Sequence, residues 1–205
     1  MRFNYPQTNY MFQPGDAMYE DINNDGNINY MDVVYLGNSN PKLSGGFGPS
    51  VTWKNFKLTS FFSFRWGYDV INGTKMNTTN MFNFDNQSTA VLNRWKKEGD
   101  VTDMPRALIS GGFNWLGSDR YVEDASYVRF RTITARYTFN KKVLSKLKFR
   151  SLSGFVTAEN LFTFTNYLGQ DPEVSFRGSD PFRVSYDYSM TPPAKTITFG
   201  LVAGF

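Results

Sequence analysis

The sequence contains no cysteine and no histidine. The first absence excludes disulfides and thiolate chemistry. Both together remove the usual zinc ligands, and no imidazole is left for acid–base catalysis near neutral pH. No apolar run approaches the roughly 18–20 residues that a membrane-crossing helix needs, so helical insertion is excluded. The opening Met1-Arg2-Phe3-Asn4-Tyr5-Pro6 has no apolar core of a signal peptide. Either export information lies on a preceding segment or the chain is a fragment, and a fragment is the expectation. Charge of one sign is lacking as well: 22 basic against 18 acidic residues gives +4. The only basic cluster, Lys141-Lys142 through Arg150, is too sparse for a nucleic-acid binder and reads as a solvated turn.

Aromatic side chains are abundant. They make up 18% of the chain, led by 20 Phe and 12 Tyr, yet the mean hydropathy is negative. A soluble core rarely needs so much aromatic surface beside so much polar surface. A sheet with lipid on one side and water on the other needs both.

Period-two alternation recurs in five segments, about 42–53, 56–68, 126–139, 149–167 and 195–205. In the last, Ile197, Phe199, Leu201, Ala203 and Phe205 share one face while Thr196, Thr198, Gly200, Val202 and Gly204 share the other. About ten alternating residues match a tilted strand crossing a bilayer. In the second, Phe56, Leu58, Phe62, Phe64 and Trp66 alternate with Lys57, Thr59, Phe61, Ser63 and Arg65. In the third, Val128 and Phe130 share a face, and then the apolar series switches to Ile133, Ala135, Tyr137 and Phe139. A bulge near Thr132 would restore the register and set Arg129, Arg131 and Arg136 on one side. Three arginines suit a polar lumen better than a dry core. The first segment is the weakest strand, because Pro49 has no ladder donor.

The connections alternate in length. Lys54-Asn55 and 140–148 are short; 69–125 and 168–194 are long. Short turns on one side and long loops on the other is the pattern of an outer-membrane barrel. With a periplasmic C-terminus, 1–41, 69–125 and 168–194 all lie outside the cell. Five strands cannot close, and open edges in hydrocarbon cost several kcal/mol per unpaired group. The remaining strands must come from a larger chain or a partner chain.

A family resemblance is carried by Pro14-Gly15-Asp16, Tyr19-Glu20-Asp21-Ile22-Asn23-Asn24-Asp25-Gly26, Gly37-Asn38-Ser39-Asn40-Pro41-Lys42 and Gly45-Gly46-Phe47. It continues through Arg94-Trp95, Asp103-Met104-Pro105-Arg106, Arg120-Tyr121-Val122-Glu123-Asp124-Ala125-Ser126-Tyr127-Val128-Arg129, Glu159-Asn160-Leu161-Phe162-Thr163-Phe164-Thr165 and Gly169-Gln170-Asp171-Pro172-Glu173. In this order the motifs resemble the C-terminal part of SusC-type (RagA-like) TonB-dependent transporters of Bacteroidota, from about residue 14 to Phe205. The resemblance implies an all-β fold: these antiparallel strands would belong to a 22-stranded transmembrane barrel with a plug. It further implies import of oligosaccharides or peptides across the bacterial outer membrane. The implied partners are the remaining barrel and plug, a SusD-like lipoprotein lid, TonB acting through the plug, and the lipid bilayer with its lipopolysaccharide. No nucleic-acid partner and no enzymatic activity are expected.

The sharpest local motif runs from Asp21 to Asp32. Oxygen-bearing Asp21, Asn23, Asp25, Asn29 and Asp32 occupy positions 1, 3, 5, 9 and 12 of a calcium-type loop, Asn27 lies at 7, Gly26 supplies the sharp turn at 6, and apolar Ile28 stands at 8. Asp32 replaces the usual glutamate and shortens the reach. The alternative is an Asx-rich turn without metal. Any Ca²⁺ here would be structural. Carboxylate pairs such as Glu123-Asp124 and Asp171/Glu173 raise the idea of a glycosidase, but loop capping is the better reading. Lys57, Arg65, Arg129, Arg131, Arg136 and Glu159 are expected to face the lumen, where the arginines would steer an anionic substrate, pair with plug acids or form a generic wet wall. Phe205 closing the series Ile197, Phe199, Leu201 and Ala203 reads as the signal used by outer-membrane assembly machinery. The rival reading is a secreted, calcium-stiffened β-sandwich that stacks glycans on aromatics. The two differ in what touches the apolar faces, lipid or a second β-layer.

Overall fold

The computed structural model describes residues 2–5, 8–173 and 185–205. Parts of the expected loops 1–41 and 168–194, namely 1, 6–7 and 174–184, lie outside the described residues. In chain order the strands are β1 (Arg2–Tyr5), β2 (Thr8–Met11), β3 (Asn27–Ile28), β4 (Leu43–Phe47), β5 (Ser50–Trp53), β6 (Phe56–Trp66), β7 (Asp69–Asn72), β8 (Val122–Asp124), β9 (Tyr127–Thr138), β10 (Ser151–Thr165), β11 (Tyr186–Asp187) and β12 (Thr196–Gly204). Two short helices are α1 (Gly73–Thr78) and α2 (Lys141–Leu147). The chain divides into two compact units.

One unit (38–70, 124–185 and 190–205) holds a six-stranded sheet in the order β12-β10-β9-β6-β4, with β5 also paired to β6. Every pairing in it is antiparallel. Its strands are rich in aromatic and β-branched residues, which fit a pleated surface. The segment expected as one strand over 42–53 is two, parted at Gly48–Pro49: the proline carbonyl accepts from Ser60 N at 3.0 Å, but Pro49 has no N–H to return. β5 and β6 are joined by a tight turn in which Lys54 takes φ +53°.

The pairing register separates two faces. On the apolar face Phe62 stacks between Phe47 (4.9 Å, 11°) and Phe130 (4.5 Å, 8°). Such aromatic pairs add roughly 0.5–1.5 kcal/mol each beyond area burial. Ile197, Phe199 and Leu201 line the same face from β12, opposite Ala158, Val156 and Gly154 of β10. Among the described residues of this unit no second layer covers that face, and Leu201 is 77% exposed. The β9 register shifts by one residue against both neighbours, between Phe61 and Phe62 of β6 and between Glu159 and Phe162 of β10. The shift carries the apolar series of β9 from Val128 and Phe130 to Ile133, Ala135 and Tyr137. The unit's buried cluster sits at the long-connection end and comprises Tyr68, Val70, Ala125, Tyr127 and Tyr167.

The other unit (1–37, 71–123 and 186–189) is mostly loop. β1 pairs antiparallel with β2 and parallel with β3. β11 pairs with Ile71 and Asn72 of β7. The Asn72 side chain caps α1 by accepting from Lys75 N at 2.8 Å.

Candidate functional site: the polar face of the sheet and its ionic lock

Alternation fixes which side chains meet on the polar face. Lys57 stands directly opposite Arg136, Thr59 opposite Thr134, and Phe61 opposite Thr132. Arg136 in turn faces Phe155, Thr134 faces Thr157, and Thr132 faces Glu159. Glu159 and Thr157 continue to Thr196 and Thr198. The Thr134 and Thr157 hydroxyls lie 2.9 Å apart. Arg136 holds its guanidinium 5.2 Å from the Phe155 ring centroid and donates weakly to Ser153 Oγ at 3.4 Å. Among the described residues Lys57, Arg65 and Arg136 form no ion pair, and all three are exposed. Together these residues give a face of threonine hydroxyls, exposed cations and one carboxylate.

Arg129 departs from that picture. It points to the polar side but is 2% exposed, so it is not a free cation of a wet wall. Its guanidinium donates to Asp171 and, through Nη1, to Glu173 Oε2 at 2.9 Å. Arg131 also pairs with Glu173 and donates Nε to Ser63 Oγ at 2.8 Å. The Tyr127 hydroxyl donates to Glu173, and Tyr68 donates to Pro172 O at 2.9 Å. A charge buried this deeply persists only when paired and hydrogen-bonded. The acids come from the same unit of the same chain, so Arg129 and Arg131 are not left waiting for acids elsewhere. The Arg129 Nε is buried without a partner among the described residues. No residue spacing along the chain reveals this lock. The motif Gly169-Gln170-Asp171-Pro172-Glu173 holds its acidic half but says nothing about which cations it meets.

The other carboxylates considered for catalysis are tied down. Glu123 accepts from Lys75 Nζ at 3.0 Å and Asn72 Nδ2 at 3.3 Å. Asp124 accepts from Ser126 N at 2.8 Å. In the loop unit, Asp16 accepts from Arg106 Nε (2.6 Å), Tyr10 (2.8 Å), Gln13 N (2.8 Å) and Asn114 (3.2 Å). Burial opposes ionisation of Asp16, but the Arg106 guanidinium and the other donors hold its carboxyl below the usual carboxylate range. Burial pushes the Tyr19 phenol up, and its hydroxyl donates to Phe113 O at 2.8 Å. A cleft of about 1420 Å³ in this unit is bordered by Tyr19, Tyr30, Trp95, Met104 and Arg120.

Within the calcium-type loop, Asp21 accepts from Asp25 N (3.2 Å) and Gly26 N (2.8 Å). Asp32 accepts from Ile22 N (3.0 Å) and Asn29 N (2.7 Å). Asn23 Oδ1 accepts from Asp25 N at 3.1 Å, and Asn27 donates to Asp25 O at 3.2 Å. The Asn27 amide and the Asn23 side chain hold the Asp25 carboxyl below its ordinary value. Gly26 takes φ +81°, which a side chain resists. Among the described residues no cluster of three or more His, Cys, Asp or Glu side chains is placed to hold a metal, so the donor set depends on the asparagines. Ile197, Phe199, Leu201, Ala203 and Phe205 lie on or beside the apolar side of β12, none of them buried.

Apolar side chains on one face of an antiparallel sheet and polar ones on the other are the pattern that the wall of a membrane β-barrel requires. No protein-family profile matches the chain. Among curated proteins it is 29% identical over 192 residues to TonB-dependent receptor P3 of Formosa agariphila, across 92% of this chain and 19% of that protein. It is 30% identical over 206 residues to TonB-dependent receptor P39 of the same organism, across 96% of this chain and 19% of that protein. Among solved structures, the RagAB peptide transporter superposes with a TM-score of 0.67 at 22% identity, over 82% of this chain and 17% of that one. The RagAB peptide importer in its closed-closed state gives 0.67 at 24%, over 82% and 18%. Over most of its length the chain is thus similar to one stretch of proteins named TonB-dependent receptors and shares its fold with part of RagAB, and it spans about a fifth of the length of the curated relatives it matches. Those relatives are named as receptors and not as enzymes.

Proposed function

We propose that this chain forms the C-terminal part of the barrel wall in a SusC-like TonB-dependent importer of the bacterial outer membrane, carrying peptides or oligosaccharides inward. The observation that carries the reading is the pairing register. It collects Phe62, Phe130, Phe199 and Leu201 on an uncovered face, and Lys57, Arg136, Thr134 and Glu159 on the other. An exposed apolar surface of this extent is a liability in water and a requirement in lipid. A secreted sandwich would need a second layer on that face.

In this reading the polar face lines the lumen. The short connections at 54–55 and 139–150 face the periplasm, and the long ones after β6 and β10 face outward. The outward segments meet a SusD-like lipoprotein and lipopolysaccharide, while the plug and the TonB contact belong to the rest of the parent protein. The lock of Arg129 with Asp171 and Glu173 staples the start of the 168–194 segment to the outer end of the wall. The Asp21–Asp32 loop fits a hard cation such as Ca²⁺ by donor type, through Asp21, Asn23, Asp25, Asn29 and Asp32 with Asn27 at the seventh position. Bound there, the ion would supply rigidity alone.

The test is uptake. Cells carrying the parent gene should accumulate labelled peptides or oligosaccharides of one class, and should lose that uptake when either the parent gene or TonB is removed. Uptake of every tested class unchanged by both deletions contradicts the proposal.

A further inference from the structure

Two unrelated features meet at the short-connection end of the sheet. The first is a trough of about 630 Å³ on the apolar face, spanning β9, β10 and β12. Ala135 and Gly154 bring the least side chain to it, and Phe56, Tyr137, Phe199 and Leu201 border them. Phe139 also lines the trough and immediately precedes Asn140, the residue that caps α2. The second feature is charge. The connection from 140 to 150 carries Lys141, Lys142, Lys146, Lys148 and Arg150 without an acidic residue, and the neighbouring turn adds Lys54. Each of these cations is exposed, and among the described residues none is in an ion pair. Ring pairs gather at the same end, some of them lining the trough: Phe56 against Tyr137 at 4.7 Å, Tyr137 against Phe139 at 5.1 Å, and Phe149 against Phe205 at 5.0 Å.

We propose that this rim is a binding site for an anionic glycerophospholipid, with its phosphate among the cations of the 140–150 connection and an acyl chain in the Ala135–Gly154 trough. The inference rests on the reading of the sheet as a membrane wall. Cations alone would gather any anion, and a trough alone would take any alkyl chain. Their juxtaposition beside these rings selects an amphiphile whose negative charge lies one headgroup above its chains. Leu147, 51% exposed between Lys146 and Lys148, sets an apolar side chain at the same boundary. Long lysine stems can lie along such a boundary while their ammonium groups reach the phosphate layer. The spare positive charge thus acquires a counter-ion that the described residues do not supply.

The test uses the full-length parent protein, extracted in non-ionic detergent and shown to be a folded barrel by its heat-modifiable gel mobility. Native mass spectrometry would count retained lipid after titration with phosphatidylglycerol, phosphatidylcholine of the same chains, or lipopolysaccharide. The wild type should prefer phosphatidylglycerol over phosphatidylcholine by ~10-fold or more, given several cations each favouring an anionic surface. The Lys142→Gln/Lys146→Gln/Lys148→Gln variant should lose the preference while keeping its mobility. Ala135→Phe, which fills the trough, should weaken retention of both phospholipids. Inorganic phosphate at the same concentration should displace neither. Equal retention of the two phospholipids by the wild type, displacement by free phosphate, or stronger retention of lipopolysaccharide overturns the proposal while leaving the barrel intact. A parent protein that never forms a heat-modifiable barrel overturns the transporter reading along with it.

Discussion

Arg129 and Glu173 meet at 2.9 Å between Nη1 and Oε2, and this contact ties the segment after β10 back onto the middle strand of the sheet. Asp171 completes the pair from the buried side, with side-chain exposures of 2% for Arg129 and 5% for Asp171. Removing Asp171 leaves two arginines, Arg129 and Arg131, sharing the single carboxylate of Glu173. Asp171→Ala is expected to destabilise the parent protein by about 3 kcal/mol or more. The double variant Arg129→Met/Asp171→Leu should recover much of that loss, because no uncompensated charge remains. Thermal unfolding in detergent, run as a double-mutant cycle, checks both. Equal loss in the single and double variants contradicts the lock.

The Asp16 network predicts acid sensitivity of the loop unit. Its folded-state carboxyl sits below the unfolded value near 3.8. The stabilisation is therefore present above that value and is lost as pH falls through the lower folded-state value. Asp16→Asn should remove this pH dependence and lower stability at pH 7. Limited proteolysis of the loop unit between pH 7 and pH 2 reads it out. A wild-type cleavage profile that is flat below pH 4, with Asp16→Asn indistinguishable from it, contradicts the prediction.

Calcium should raise the unfolding temperature if the Asp21–Asp32 loop holds it, and chelation should reverse the rise. The Asp21→Ala/Asp25→Ala variant should show no calcium-dependent shift, and Mg²⁺ should substitute poorly because it resists dehydration. Absence of any calcium-dependent shift in the wild type would leave the loop closed by its own Asx hydrogen bonds.

The two faces should respond oppositely to charge. Leu58→Arg on the apolar face is expected to cost roughly 2–4 kcal/mol if it lies near the bilayer midplane. Thr134→Arg on the polar face should cost far less. The yield of heat-modifiable barrel in the outer membrane reports the difference, and similar yields would argue against a lipid-facing side.

Much of the sheet was legible in the residues because alternation is a local property. Ile197 to Phe205 and Phe56 to Trp66 declare their faces without reference to anything distant. Even the irregularity in β9 showed, since Val128 and Phe130 cannot share a face with Ile133 in an unbroken strand. Pro49 marked the break between β4 and β5, although one strand was expected there. What alternation cannot show is which distant groups meet. Arg129 and Asp171 are separated by a whole strand and a turn, and nothing in the spacing distinguishes Arg129, which is buried and ion-paired, from Arg136, which is exposed and, among the described residues, in no ion pair. The same holds for Asp16 and Arg106. Both belong to quoted motifs, yet only the fold joins them.

The central claim is that lipid touches the apolar side of the sheet and water the polar side. The chain has no native cysteine, so single cysteines introduced into it, in a parent protein cleared of any others, can carry nitroxide labels at Leu58, Phe199 and Leu201 and at Thr134, Thr157 and Thr198. In reconstituted bilayers the first three should relax with oxygen, which concentrates in the acyl region. The last three should relax with a water-soluble nickel chelate. Labels at Phe199 and Leu201 shielded from both, as against a second protein layer, would contradict the account.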